Sequence, residues 1–130
     1  MKPSDFFTRN KANEGERMPL SLPDGTPTDE WLLIRGIDSD EFRAAMDEHR
    51  RAVLANVAIE DEAERAEKNR QAGLKLHCAL VAGWSFEAEL TPEAVEELFR
   101  EAPHLAIEAD NFASDRKRFF RKGSASSAKD

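Results

Sequence analysis

Residues 38–57, Asp38-Ser39-Asp40-Glu41-Phe42-Arg43-Ala44-Ala45-Met46-Asp47-Glu48-His49-Arg50-Arg51-Ala52-Val53-Leu54-Ala55-Asn56-Val57, decide the fold class. Phe42, Met46, His49, Val53 and Val57 recur at spacings of four, three, four and four, the period that places side chains on one helical face. Asp38 is positioned as N-cap, accepting a backbone N–H while Glu41 reaches back in a capping-box pattern. A helix starting there and burying this stripe in the core is expected.

Outward from that stretch, the C-terminal side continues in the same register. Between Glu60 and Gly73 no large apolar residue appears, yet Ala63 and Ala66 continue the stripe, and Asp61–Arg65 and Glu64–Lys68 sit at a spacing that supports a helix. Leu74, Leu76, Cys78, Leu80 and Val81 restore apolar character up to Gly83, which suits a helix end because glycine tolerates positive φ. One bent helix and two separate helices both fit. Thr91-Pro92-Glu93 opens another helix, with threonine as cap and proline in the first turn, and Val95, Leu98, Phe99 and Ala102 form its buried stripe. Pro103 breaks that pattern, and Leu105, Ala109, Phe112 and Phe119 or Phe120 predict a last helix.

On the N-terminal side, Met18, Leu20 and Leu22 alternate with Pro19 and Ser21, and Pro23-Asp24-Gly25 supplies a turn before the apolar run Trp31 to Ile34. This reads as a β-hairpin, which needs the helices behind it because a lone hairpin is marginal in water. The expected architecture is mainly α: a small N-terminal β-hairpin packed on a bundle of three to four helices. It comprises one domain over residues 18–122 (hairpin 18–37, helical part 38–122), a flexible arm over 1–17 and a disordered tail over 123–130.

Composition limits the partners. An apolar share of 40% against a charged share of 35% in 130 residues implies a modest core. The net charge of −7 opposes attraction of the whole body to nucleic-acid phosphates. Charge is uneven, however: residues 84–110 hold eight acidic side chains against Arg100 alone, whereas residues 111–130 hold six basic ones against Asp115 and Asp130. The single cysteine, Cys78, excludes an internal disulfide and suits the cytoplasm. No apolar run resembles a secretory signal or approaches the roughly 20 residues a membrane span requires, so no membrane partner is expected.

Chemistry-bearing clusters are few. Asp47, Glu48 and His49 are successive on a helix and diverge by about 100° each, and the same holds for His77 and Cys78. Asp38-Ser39-Asp40-Glu41 lacks the glycine turn and final glutamate of a calcium loop. No phosphate loop, metalloprotease helix or nucleophile elbow occurs. The expectation is a non-enzyme with no catalytic residue, metal ligand or cofactor. Arg116-Lys117-Arg118-Phe119-Phe120-Arg121-Lys122 has three readings: a nucleic-acid contact, cations offsetting a helix dipole, or a docking segment for an acidic protein. Trp84 and Phe86 follow Gly83 between helices, as a lid on the core or a binding hot spot.

The order Leu80-Val81-Ala82-Gly83-Trp84, Leu90-Thr91-Pro92-Glu93-Ala94-Val95, Pro103-His104-Leu105 and Asn111-Phe112 resembles the tail assembly chaperones of long-tailed, siphovirus-type bacteriophages. The resemblance covers about residues 39–122, with the charged segment Glu60 to Gln71 as its main departure. It implies a phage- or prophage-encoded protein that binds the tape measure protein and helps recruit tail tube subunits. Such a protein works in the host bacterial cytoplasm and is absent from the mature virion. In many relatives a ribosomal frameshift appends a second domain, and self-association is a further option. The partner-binding candidates are Trp84, Phe86, Leu98, Phe99, Arg116, Arg118, Phe119 and Phe120, and the expected groove lies between the helix ending at Gly83 and the helix opening at Pro92. The alternative is a small cytoplasmic adaptor or regulatory protein that binds nucleic acid through its basic C-terminal end.

Overall fold

Alternation along β1 (Glu16–Ser21) turns Glu16, Met18 and Leu20 inward and Arg17, Pro19 and Ser21 outward. The computed structural model describes residues 1–120; the tail expected over 123–130 lies outside them. β1 pairs antiparallel with β2 (Pro27–Ile34), setting Met18 opposite Leu32. Their turn is closed by the Leu22 N–H donating to the Thr26 carbonyl at 2.8 Å and by Asp24 Oδ1 accepting the Thr26 N–H at 2.9 Å. Gly25 sits there at φ 93°, a conformation other residues adopt only with strain. The strand starts at Glu16, two residues before the expected hairpin boundary.

A third strand, β3 (Val81–Trp84), lies antiparallel against the other edge of β2, giving the order β1-β2-β3. This corrects the expectation of a helix ending at Gly83. α3 (Glu62–Cys78) stops five residues earlier, Leu80 becomes fully buried, and Gly83 stands opposite Leu33 in the sheet. Arg35 fixes the switch: its backbone N–H donates to the Leu80 carbonyl at 2.7 Å, and its guanidinium donates to the Ala79 and Val81 carbonyls at 2.9 and 3.1 Å. An apolar run with either period buries Leu80 and Val81, and the strand wins because β2 offers its free edge.

α2 (Asp40–Asn56) forms where its stripe requires, but Ser39 is the cap, accepting the Phe42 N–H at 3.2 Å. Asp38, the expected cap, is one residue too early and faces Arg116 instead. The stripe also fades along the helix: Phe42 is 6% exposed, Met46, His49 and Val53 are half-buried, and Val57 is 68% exposed. The chain breaks after Asn56, and Asp61 caps α3 by accepting the Glu64 N–H at 3.2 Å, so the segment is two helices. They form a hairpin, cross-tied by Asn56 Nδ2 donating to Asn69 Oδ1 at 2.9 Å and by the Arg65 guanidinium donating to the Ile59 carbonyl at 2.6 Å.

Thr91 caps α4 (Pro92–Glu101) by accepting the Ala94 N–H at 3.1 Å, and Val95 and Phe99 are its buried residues. Pro103 opens α5 (Pro103–Ser114), which buries Leu105, Ala106, Ala109, Phe112 and Ala113. A 3-10 turn over 116–119 then brings Phe119 edge-on to Phe112 at 6.1 Å. The described residues thus hold five α-helices, four of them (α2–α5) within the part expected to be helical. The unforeseen one is α1 (Arg9–Glu14), inside the stretch read as an arm. Its Ala12 is buried; the Gly36 N–H donates to the Ala12 carbonyl at 3.0 Å. A Cβ on Gly36 would stand 2.9 Å from that of Ala12. Arg9 pairs with Asp40 at 2.7 Å. Leu32, Ile34, Leu80 and Phe99, each at most 2% exposed, form the centre of the core between sheet and helices. Each such burial contributes about 1.5–3 kcal/mol.

Candidate partner-binding surface

The groove expected beside α4 exists as a cavity of about 390 Å³ walled by Cys78, Val81, Leu90, Pro92, Val95 and neighbouring residues. Trp84 and Phe86 are not part of its wall. Trp84 ends β3 opposite Leu32, its ring meets that of Phe86 edge-on at 5.2 Å, and its indole N–H donates to the Ala88 carbonyl at 2.9 Å. Both rings are half-buried and pack against the core, as does Leu98. These contacts fold the 84–88 bend onto itself.

A larger and more apolar groove, about 710 Å³, opens between α3, α4 and α5. Leu74, Phe99, Pro103, Ala106 and Ile107 line it. Phe99 is 2% exposed, whereas Ile107 on the α5 side is 61% exposed. Charge surrounds the apolar walls: Arg70 pairs with Glu67 at 3.2 Å and Arg100 with Glu101 at 3.8 Å, while Lys75 and Glu96 also border the opening. An apolar trough with a charged border accepts an amphipathic helix and keeps the complex soluble. Of the sequence-predicted contacts only Phe99 reaches this groove. Ile107 was missed because it stands off the Leu105–Ala109–Phe112 stripe, and an apolar residue off its helix's buried face is the available signal.

The C-terminal candidates divide by role. Arg116 makes a two-pronged contact with Asp38 at 2.6 and 2.9 Å. That hydrogen bond holds the Asp38 carboxyl below the usual carboxylate range, against an opposing effect of burial, and a hydrogen bond from the Thr8 hydroxyl adds to it. Arg118 lies over the Phe112 ring at 4.7 Å and is paired with Asp115 at 3.5 Å. Phe119 is buried, and Phe120 remains 49% exposed.

Burial pushes the Cys78 thiol up to about 11, away from the thiolate that would react. Among the described residues no group of three or more His, Cys, Asp or Glu side chains could hold a metal, and no helix is long and apolar enough to cross a membrane. Compared with known families, the chain matches the one described as phage tail assembly chaperone over residues 16–109, from the start of β1 to the middle of α5. No curated protein and no solved structure matches it.

Proposed function

The chain belongs to the phage tail assembly chaperone family, and from that premise we propose that it binds the tape measure protein and helps recruit tail tube subunits during tail morphogenesis. A chaperone role of this kind is non-catalytic. It is exercised in the host cytoplasm and ends before the virion is complete. The observation that carries the reading is the apolar groove between α3, α4 and α5 with Ile107 exposed on its border. A tape measure protein is a long helical chain with apolar stripes, and a stripe at i, i+3 or i+4, and i+7 fits such a trough.

Co-purification with the co-expressed tape measure protein tests this. Ile107→Glu introduces a charge at an exposed position, so the melting temperature should stay within about 2 °C while binding weakens about thirtyfold. Trp84→Ala and Phe86→Ala provide the comparison: they remove half-buried rings from the 84–88 bend and should lower stability. If the Trp84 and Phe86 variants bind poorly while still folded, and Ile107→Glu binds normally, the docking surface is at the 84–88 bend. Absence of binding by the unaltered chain removes the tape measure reading altogether.

A further inference from the structure

Gly73 lies in the interior of α3 (Glu62–Cys78), more than a turn from either end. After proline, glycine is the least favourable residue for a helix interior, because it has the most backbone freedom to lose. Elsewhere in the chain glycine has a local cause. Gly15 and Gly25 adopt φ of 85° and 93°, and a Cβ on Gly36 would stand 2.9 Å from that of Ala12. Gly73 has neither: it is not at positive φ, and a Cβ there would have no atom of the rest of the chain within 4 Å. Alanine would fit and would strengthen the helix, so nothing inside this fold accounts for the missing methyl.

The open space over Gly73 belongs to the α3–α4–α5 groove of about 710 Å³. Arg70, Gly73, Leu74 and His77 all line it, and they follow the i, i+3, i+4, i+7 spacing of one helical face. Gly73 is therefore a gap in the α3 wall, while Phe99 of α4 and Ile107 of α5 line the other walls. Packed helices lie about 8–10 Å apart according to the side chains at their contact, so a gap of this kind admits a second helix more closely. The border defines the occupant's charges. Glu67 and Arg70 satisfy each other at 3.2 Å, and Arg100 lies 3.8 Å from Glu101. Lys75 of α3 and Glu96 of α4 also line the groove, and neither is in an ion pair among the described residues. An acidic and a basic side chain flanking one apolar stripe complement both. A nucleic acid, all of whose charges are negative, would meet Glu96 unrelieved on a chain of net charge −7.

We propose that Gly73 is the notch at which an amphipathic helix of the tape measure protein crosses α3. A large aliphatic or aromatic side chain of that helix enters the gap as a knob. Its apolar neighbours lie on Leu74 and Ile107, and its flanking acidic and basic groups meet Lys75 and Glu96. The inference rests on the tape measure reading and adds where, and how closely, the client helix packs.

The test separates folding from binding in the full chain. Gly73→Ala should raise the melting temperature by about 2–4 °C and weaken capture of the co-expressed tape measure protein about tenfold. Gly73→Leu should still fold, because its side chain projects into the groove, and should weaken capture further. Two labelled amphipathic peptides then report on the contact by fluorescence anisotropy. One has leucine throughout its apolar stripe with Glu and Lys beside it, and the other has its central leucine replaced by alanine. The unaltered chain should bind the leucine peptide about tenfold tighter, and Gly73→Leu should reverse that order, since the knob then comes from the other side of the contact. Reversal with no capture of the tape measure protein keeps the notch, assigns it to another helical client and removes the tape measure reading. If Ile107→Glu abolishes capture while both Gly73 variants bind normally, the groove holds the client and the notch is overturned. Equal weakening of both peptides by Gly73→Leu also overturns it, by making Gly73 a hinge rather than a contact. So does early melting of Gly73→Ala, which would show that the fold needs glycine there. Loss of self-association in Ile107→Glu, read by sedimentation, gives the groove to a second copy and likewise removes the proposal. No binding of protein or peptide by the unaltered chain removes both the notch and the reading beneath it.

Discussion

Asp38 shows how one residue can hold two distant parts of the sequence. Sequence spacing suggests a cap for α2, but Ser39 takes that place, which frees the Asp38 carboxylate for Arg116, 78 positions away, and for Thr8. Its carboxyl is held below the ordinary value in the fold. The group therefore contributes stability above the unfolded-state value of about 3.9, and that contribution is lost as pH falls through the depressed folded value. Arg116 is 55% exposed, so solvent screens the pair and its worth is about 1 kcal/mol or less. Asp38→Asn should lower the melting temperature at pH 7 by a few degrees and should lose less than the unaltered chain between pH 5 and pH 2.5. Thermal unfolding across that range checks it, and equal losses in the two proteins would assign the acid lability to other carboxylates such as Asp40.

At the scale of elements, stability is unevenly distributed. α2 buries only Phe42 and α3 only Ala72, although each has 17 residues, and at the end of α2 and just past it Leu54 and Val57 are 74% and 68% exposed. The distal part of this helical hairpin rests on Asn56–Asn69 and Arg65–Ile59 contacts, so it should open without the rest of the molecule. Hydrogen exchange followed by mass spectrometry should show residues 50–66 exchanging about a hundredfold or more faster than β2, which carries the fully buried Leu32 and Ile34. Protection equal to that of β2 would mean that the hairpin belongs to the same cooperative unit. The same unevenness decided what the sequence could disclose. The Thr91–Pro92 start, the Val95–Phe99 stripe and the β1–β2 turn are local patterns with local causes, and all three are found. β3 was not legible, because whether Val81–Trp84 is helix or strand depends on the free edge of β2 and on Arg35, nearly fifty positions earlier. The α3–α4–α5 groove is a product of three elements packing together, and only Phe99 signalled it.

For the whole molecule, the part that matches the family is not the part that closes the core. Residues 16–109 contain the sheet, the helical hairpin and α4. Yet Ala12, Phe112, Ala113 and Phe119, exposed by only 4%, 7%, 1% and 3%, lie outside them. Phe112 and Phe119 pack edge-on and belong to the same buried cluster as Leu32, Ile34 and Phe99. Removing a buried phenylalanine side chain costs about 3–5 kcal/mol, so losing two approaches the whole stability of a typical domain, about 5–15 kcal/mol. A piece cut to residues 16–109 should therefore lack a cooperative melting transition, whereas a piece cut after Gly123 should melt close to the full chain, since Ser124 to Asp130 has no apolar side chain larger than alanine. Calorimetry on the two pieces decides it. A cooperative transition in the 16–109 piece near that of the full chain would mean that the sheet and the helices within those residues bury enough apolar surface by themselves, and that Phe112 and Phe119 cover a core already complete.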